Sequence, residues 1–162
     1  MQTTAVVSKN HNSGMTRITY EVDIRTARSH VWKILADFTN VKWTKTINDA
    51  QYIGNIKGGV GMARHCNLQD GSTITERITE WREGSGFTYA IDNASNPVTT
   101  DSYVTWSATG DEQQTKVIFE VNYQLKYGIL GIVMNNLMVK HKFRKLIITF
   151  MNELKTYAEN PS

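Results

Sequence analysis

Apolar and polar residues alternate along Thr16–Ile24, where apolar positions are separated by charged residues or threonine. A period of two is that of a strand with one buried face. Six more strand-like segments follow at short spacing, at about 50–55, 60–68, 72–82, 86–93, 98–109 and 114–126. Turn-forming residues such as Asp70-Gly71 separate them. The pattern predicts an antiparallel sheet of seven strands.

Two short helices are predicted between the first and second strands. Thr26 is positioned to cap a helix over residues 26–38. The apolar residues of this segment fall at helix-compatible spacings, namely Val31, Trp32, Ile34 and Leu35. A second helical segment over about 41–47 carries Trp43 on its apolar side.

The C-terminal part of the chain predicts one long helix. Residues 129–159 contain no proline and end before Asn160-Pro161. The first half is apolar over a wide arc, which predicts contacts on more than one side. Met134 and Met138 lie there and suit an adaptable cavity wall, because thioethers repack easily, although core filling explains them as well. With the helices gathered on one side of an antiparallel sheet, the fold class is α+β.

Composition narrows the class of protein. A chain of 162 residues is long enough for one domain with a sizeable core, which we place at 15–160, after a polar leader at 1–14 that is predicted to be disordered. A net charge of +3 without dense basic stripes gives no sign of nucleic-acid binding. The single Cys66 fits a reducing compartment. No signal peptide and no apolar segment of roughly 20 residues occurs, so we expect a cytoplasmic protein without integral membrane association.

Three segments carry a resemblance to a known superfamily. They are VWKILADFTNVKW at 31–43, GGVGMARHCNLQDGSTITERITEW at 58–81 and NELKTYAE at 152–159. Over about 16–159 the chain resembles the START-like or SRPBCC superfamily of polyketide cyclase/dehydrase and lipid-transport proteins. That superfamily includes birch-pollen-allergen-like proteins and plant abscisic-acid receptors. The resemblance implies a helix-grip fold, in which a curved antiparallel sheet wraps around the long C-terminal helix and leaves a cavity.

Charged residues interrupt the apolar faces of two neighbouring strands. The shared face consists of Met62, Arg64 and Cys66 on the strand at 60–68 and of Glu76, Ile78 and Glu80 on the strand at 72–82. An unpaired buried charge costs several kcal/mol, so these charges either pair with each other or face a wet cavity. We therefore expect either an ion pair that closes one end of the core or a polar anchor that orients a ligand in an apolar pocket.

The loop between these strands decides which residues lie opposite each other. A two-residue loop would mix the two faces, whereas a three-residue loop at 70–72 satisfies both hydrophobic patterns. The three-residue loop predicts Arg64 opposite Ile78, which places Arg64 diagonal to Glu76 and Glu80.

The resemblance also bears on single residues. Glu76 matches a pocket glutamate that the abscisic-acid receptors use in a water-mediated ligand network. The receptors' pocket lysine, however, matches Thr44 in this chain, and their mobile gate loop is replaced by the short turn at 69–72. These two departures argue against a hormone receptor.

The other predicted ligand contacts are apolar and aromatic residues of the same inner surface. Together with Arg64 and Glu76, the predicted set is Trp43, Met62, Cys66, Ile78, Tyr89, Ile91, Trp106, Phe119, Met134 and Met138. Plain core packing is the alternative for each aromatic residue. On the last strand the apolar alternation predicts Phe119 inside and Glu120 and Asn122 outside, whereas alignment with the receptors would turn the two polar residues inward.

These observations predict a binding or carrier module for a hydrophobic small molecule, lipid-like or polyketide-like. The alternative is an enzyme of the aromatic polyketide cyclase/dehydrase kind, with Glu76 as general base and Arg64 steadying a developing enolate. A subunit-interaction module and a homodimer are left open. The histidines show no metal-ligand spacing and no nucleotide motif occurs, so neither a metal nor a cofactor is predicted.

Overall fold

The computed structural model describes residues 4–9, 15–95, 99–125 and 140–160. Its elements are β1 (Thr4–Lys9), β2 (Thr16–Ile24), α1 (Arg28–Ala36), β3 (Ile47–Ile53), β4 (Ala63–Leu68), β5 (Thr73–Arg82), β6 (Gly86–Ala94), β7 (Thr99–Gly110), β8 (Thr115–Leu125) and α2 (Lys140–Glu159). The eight strands form one antiparallel sheet in the order β1-β2-β8-β7-β6-β5-β4-β3. The α+β prediction of an antiparallel sheet with a C-terminal helix is confirmed.

At residues 4–9 of the predicted disordered leader the structure has the strand β1, which adds an eighth strand to the predicted seven. Thr4 pairs with Glu21 and Lys9 with Thr16 along the edge of β2. The segment is mostly polar, but its two adjacent valines, Val6 and Val7, favour a strand. Without β1, the outer edge of β2 would leave its N–H and C=O groups unpaired, and pairing removes that exposed edge.

On β2 and β8 the apolar alternation correctly predicted which faces are buried. On β2 and β8 every second residue is buried, namely Ile18, Tyr20, Val22, Ile24, Val117, Phe119, Val121 and Tyr123. Glu120 and Asn122 lie on the outer face, where Arg17 contacts both of them at 3.4 and 3.2 Å. The hydrophobic pattern was therefore a better guide than alignment with the hormone receptors.

Helix α1 is shorter than predicted, and Thr26 does not cap it. The N-cap position belongs to Ala27, whose side chain makes no capping hydrogen bond. The first backbone donor, Arg28 N–H, instead bonds the carbonyl oxygen of Asp111 at 3.0 Å. The Thr26 carbonyl accepts a hydrogen bond from Thr115 Oγ1 at 2.8 Å, so the start of the helix is fixed by the β7–β8 loop and the start of β8.

The second short helix predicted over 41–47 is absent. Lys42 and Trp43 form a turn, and Ile47 already begins β3. Tertiary contacts replace helical hydrogen bonds there, because Thr44 Oγ1 and Lys45 N–H both donate to Glu153 of α2, at 2.8 and 3.2 Å.

The described part of the terminal helix covers the inner face of the sheet. α2 packs against β2 and α1. Its buried residues are Ile147, Phe150, Met151, Leu154 and Ala158. The end of the helix is tied to β2, because Lys155 Nζ donates to the Asp23 carbonyl and Glu159 Oε1 accepts from Arg25 N–H at 2.7 Å. The predicted first half of the helix, 129–139, lies outside the described residues.

Within the described parts of the chain, no helix has the length and apolar character needed to cross a bilayer.

Candidate functional site

The β4–β5 hairpin fixes the geometry of the site. Its loop is 69–71, closed by the hydrogen bonds Leu68 N to Ser72 O at 2.8 Å and Gly71 N to Leu68 O at 3.0 Å. Gly71 takes the last loop position with φ +83°, as a three-residue hairpin loop requires. The predicted loop length was right, but its position was wrong by one residue.

As a result Arg64 lies directly opposite Glu76, and the predicted pairing of Arg64 with Ile78 is wrong. A one-residue displacement of the loop changes the register by two residues. Because side chains alternate with a period of two, this change by itself does not move a residue to the other face. Arg64 and Glu76 therefore share the inner face, as predicted, and meet head-on rather than diagonally.

Arg64 and Glu76 form a buried ion pair. Arg64 Nε lies 2.5 Å from Glu76 Oε2, and the two residues are only 8% and 2% exposed. Arg64 Nη1 also donates to the carbonyl oxygen of Phe38, and the guanidinium carbon lies 4.0 Å from the centre of the Phe38 ring. The cation is thus held by a carboxylate, a carbonyl and an aromatic face.

Phe38 is a site residue that the sequence analysis missed. It follows α1 and brings both its carbonyl and its ring to Arg64, and its ring also packs on Phe87 and Tyr89 at 5.8 and 6.0 Å. The available signal was the Asp37-Phe38 step at the end of the apolar helix pattern, which places an aromatic residue on the core side.

Arg64 stays positively charged in this environment. Burial alone would lower the pKa of the guanidinium, but the charge of Glu76 and its hydrogen bond raise that pKa above its usual value. Removing one partner of such a buried pair strongly destabilises the folded protein, because the remaining charge is then buried without compensation.

Two neutral groups flank the ion pair. Burial, reinforced by the charge of Glu76, raises the pKa of the Tyr89 hydroxyl well above its usual value, while a hydrogen bond with Trp106 acts in the opposite sense. Burial likewise raises the pKa of Cys66 to about 12. Tyr89 therefore keeps its proton, and Cys66 stays a thiol, which makes it a poor nucleophile.

Glu80 does not belong to the site, contrary to the prediction. Ile78 pairs with Tyr89, but Glu80 pairs with Thr88, so Thr79 is an extra residue in β5. Such a β-bulge reverses which face the following residues occupy. Glu80 consequently lies on the outer face, where it accepts a hydrogen bond from Arg82 Nη1 at 2.8 Å.

The bulge also turns Trp81 toward the inner side of the sheet. Trp81 lies edge-on to Trp32 of α1 at 5.1 Å and stacks on Phe87 at 5.8 Å. Both indole N–H groups donate to one carboxylate, Trp32 to Glu83 Oε1 at 2.9 Å and Trp81 to Glu83 Oε2 at 2.8 Å. This clamp, which the sequence pattern did not suggest, attaches α1 to the β5–β6 hairpin.

The other predicted contacts that lie within the described residues gather around the ion pair and the aromatic core. Met62, Cys66, Ile78, Tyr89, Trp106 and Phe119 are buried, and Trp43 and Ile91 are half-buried against the same core. Trp106 packs on Phe119 at 4.6 Å, and Trp43 packs on Phe150 at 4.6 Å. Met134 and Met138 lie outside the described residues. Since the wall predicted to face the ion pair lies there too, the interior cavity stays a prediction.

Thr44, which the sequence analysis matched to the receptors' pocket lysine, provides no positive charge. It is buried, and its hydroxyl donates to Glu153 Oε2 at 2.8 Å while accepting from Thr46 N–H at 3.1 Å. Its hydrogen bonds are therefore used to hold the α1–β3 connection on α2.

The family model described as polyketide cyclase/dehydrase and lipid transport matches residues 15–159 of this sequence. The chain belongs to that family. No curated protein matches the sequence.

Solved structures of the same superfamily share the fold of this family member. The Zhui aromatase/cyclase of a Streptomyces species is 15% identical with a TM-score of 0.75, over 90% of this chain and 94% of that one. A START superfamily protein from Mycobacterium smegmatis is 12% identical with a TM-score of 0.71, over 88% and 97% of the two chains. Ara h 8.0201 is 13% identical with a TM-score of 0.68, over 89% and 97%. At these identities the likeness shows the fold alone.

The outer face of the sheet carries an open groove of about 480 Å³, which differs from the predicted site. Its lining is Met15, Arg17, Thr79, Glu80, Thr88, Tyr103, Thr105 and Asn122. The polar side chains there bond one another, as Thr88 Oγ1 does with Glu80 Oε2 at 3.2 Å and with Thr105 Oγ1 at 3.0 Å. We assign no ligand to this groove.

Among the residues that the structure describes, no three or more histidine, cysteine, aspartate or glutamate side chains group so as to hold a metal ion.

Proposed function

We propose that this family member binds a hydrophobic small molecule, lipid-like or polyketide-like, between the inner face of its sheet and its terminal helix. The observation that carries the proposal is the Arg64–Glu76 ion pair, buried on the inner face with a separation of 2.5 Å. Replacing a buried pair by well-packed apolar side chains is often neutral or stabilising. The pair is therefore a poor device for filling a core and a suitable one for orienting a polar group on an apolar ligand.

In this proposal the apolar residues around the pair supply the contact area. Met62, Ile78, Tyr89 and Trp106 would take up the body of the ligand, whose polar group would lie against Glu76. Tyr89 adds a buried hydroxyl beside the pair. Trp43, Cys66, Ile91, Phe119, Met134 and Met138 complete the proposed lining.

The test is a measurement of bound and added ligand on the purified protein. Native mass spectrometry should find a retained apolar compound, and an apolar fluorescent dye should bind with a blue-shifted, saturable emission. We expect Glu76→Gln to weaken binding of a polar-headed apolar ligand at least about tenfold, since hydrogen bonds to charged groups contribute about 1.5–3 kcal/mol. Glu80→Gln, on the same strand but the outer face, is the matched control and should change nothing.

A consistently empty protein that also excludes apolar dyes would refute the proposal. Equal changes in ligand affinity for the Glu76 and Glu80 substitutions would show that Glu76 does not contact the ligand, without locating the ligand.

A second candidate is an enzyme of the aromatic polyketide cyclase/dehydrase kind. The family's description and the structural likeness to an aromatase/cyclase favour it. In that case Glu76 would act as general base on an acidic C–H group, and Arg64, which stays cationic, would stabilise the enolate that forms. Glu76→Gln should then abolish turnover of a poly-ketone substrate while changing its dissociation constant less than about threefold. Binding of the poly-ketone without turnover by the wild-type protein would instead favour the carrier.

A further inference from the structure

We propose that the ligand of this site is electrically neutral, an apolar molecule whose polar groups are hydroxyl or keto groups, and that carboxylates and other anions are discriminated against. This inference rests on the proposed function, because it concerns the same site. It follows from how the charges and hydrogen bonds of the inner face are already distributed.

The buried charges cancel. Among the residues whose burial the structure describes, Arg64 and Glu76 are the buried charged side chains, and the other buried polar residues are Thr44, Ser102 and Thr115. With one cation and one anion 2.5 Å apart, the buried charges that the structure describes sum to zero before a ligand enters. An anionic head group would add an uncompensated charge to a medium of low dielectric, which is strongly unfavourable.

The charge of Arg64 is already balanced by Glu76, although the guanidinium keeps N–H donors beyond the two that are bonded. Its Nε bonds Glu76, its Nη1 bonds the Phe38 carbonyl, and its planar face lies on the Phe38 ring. An anionic ligand that bonded the guanidinium would place a second anion beside one cation. Whether Arg64 stayed on Glu76 or moved to the ligand, the site would carry one uncompensated negative charge.

Thr44, in the connection between α1 and β3, supplies no positive charge to the core. Thr44 is neutral, and its hydroxyl bonds Glu153 Oε2, which brings a further carboxylate to this end of the core. No positive charge at this position is therefore offered to a ligand anion.

The groups that remain match a neutral polar ligand. The buried Tyr89 hydroxyl keeps its proton, so it can donate to a ligand oxygen. A keto oxygen can accept from Tyr89, and a ligand hydroxyl can donate to Glu76.

The experiment compares two dyes with the same aromatic skeleton, neutral N-phenylnaphthylamine and anionic anilinonaphthalene sulfonate. Their dissociation constants are measured by fluorescence titration at neutral pH for the wild-type protein and for Glu76→Gln, which leaves Arg64 as an uncompensated cation. We expect the ratio of anion affinity to neutral-dye affinity to rise at least about tenfold in Glu76→Gln. Because the ratio is compared between proteins, the different intrinsic hydrophobicity of the dyes cancels.

Two further variants make the result specific. Glu80→Gln also removes one negative charge from β5, but on the outer face, so the ratio should stay at its wild-type value. The double variant Arg64→Gln with Glu76→Gln keeps the interior neutral, and it should keep the wild-type preference for the neutral dye. If Glu76→Gln alone does not fold, this double variant is compared with Arg64→Gln, whose uncompensated carboxylate should depress anion binding further.

The outcomes separate the two proposals. Failure of both dyes to bind wild-type protein contradicts the proposed function itself. Binding of both dyes with an anion-to-neutral ratio that Glu76→Gln does not change contradicts the neutral-ligand inference and leaves the binding function intact.

Discussion

Removing one partner of the buried ion pair should destabilise the protein far more than removing both. Arg64→Met keeps most of the aliphatic stem but leaves Glu76, which is 2% exposed, without its cation. The variant also loses the hydrogen bond to the Phe38 carbonyl and the contact of the guanidinium with the Phe38 ring. Breaking a buried pair in this way costs about 3–5 kcal/mol.

The double variant Arg64→Met with Glu76→Leu provides the reference. Replacing a whole buried pair by apolar residues is often neutral or stabilising by about 1–4 kcal/mol, so the double variant should unfold at or above the wild-type midpoint. The coupling energy of the cycle should therefore exceed about 3 kcal/mol. The outer-face pair Arg77–Asp92 is the control, with a separation of 2.7 Å and side chains 48% and 34% exposed. Arg77→Met should cost no more than about 1 kcal/mol.

The assay is urea unfolding of the wild-type protein, Arg64→Met, Glu76→Leu, the double variant and Arg77→Met, followed by circular dichroism and supported by thermal scans. For a chain of 162 residues, a loss of about 3–5 kcal/mol lowers the thermal midpoint by roughly 10 °C. If Arg64→Met costs as little as Arg77→Met, then the Glu76 carboxylate reaches water in the folded protein, and the argument from a dry, neutral interior fails.

Three further predictions address other parts of the fold. Hydrogen bonds from the indole groups of Trp81 and Trp32 lower the pKa of Glu83 below its usual 4.5, so the clamp stabilises the fold fully above about pH 4.5 and is lost as the pH falls through the lowered pKa. Tryptophan emission during an acid titration should show this step, and Glu83→Gln should lack it. Cys66, buried and with a pKa of about 12, should resist a thiol reagent in native protein and react at once in urea; rapid native labelling would contradict its burial. Gly71→Ala, at φ +83° with open space around its Cβ, should cost about 1–2 kcal/mol in urea unfolding, whereas Gly86→Ala, whose Cβ would lie 2.2 Å from the Trp106 carbonyl oxygen, should cost more.

The residues of the ion pair could be predicted from the sequence because alternate residues of a strand lie on the same face of the sheet. Arg64 and Glu76 fall in step with apolar neighbours on their strands, and any register that kept both apolar faces inside placed them together. The register itself was also encoded, by Gly71. A three-residue hairpin loop places its left-handed residue last, so the loop must be 69–71 rather than 70–72.

Other features depended on contacts between distant parts of the chain. The segment 41–47 has a helix-like apolar spacing, but Glu153 of α2 takes the donors of Thr44 and Lys45 and holds the segment as a turn. No glycine marks the bulge at Thr79 in the sequence. The inward position of Trp81 and the outward position of Glu80 therefore could not be predicted. Local patterns record propensity, whereas these features arise from tertiary hydrogen bonds and packing that outweigh it.

The placement of the ion pair and the shape of the sheet around it are connected through β5. Two irregularities interrupt its pairing with β6, one between Thr75 and Glu76 and one between Ile78 and Glu80. Bulges bend a sheet and increase its twist, so the short stretch from Glu76 to Ile78 lies where the sheet is expected to curve most strongly. Arg64 joins this stretch to the end of α1 through the Phe38 carbonyl. A ligand that contacts Glu76 therefore contacts a group coupled to both the bent sheet and the α1–β3 connection, and exchange protection of the Phe38 region should rise on binding.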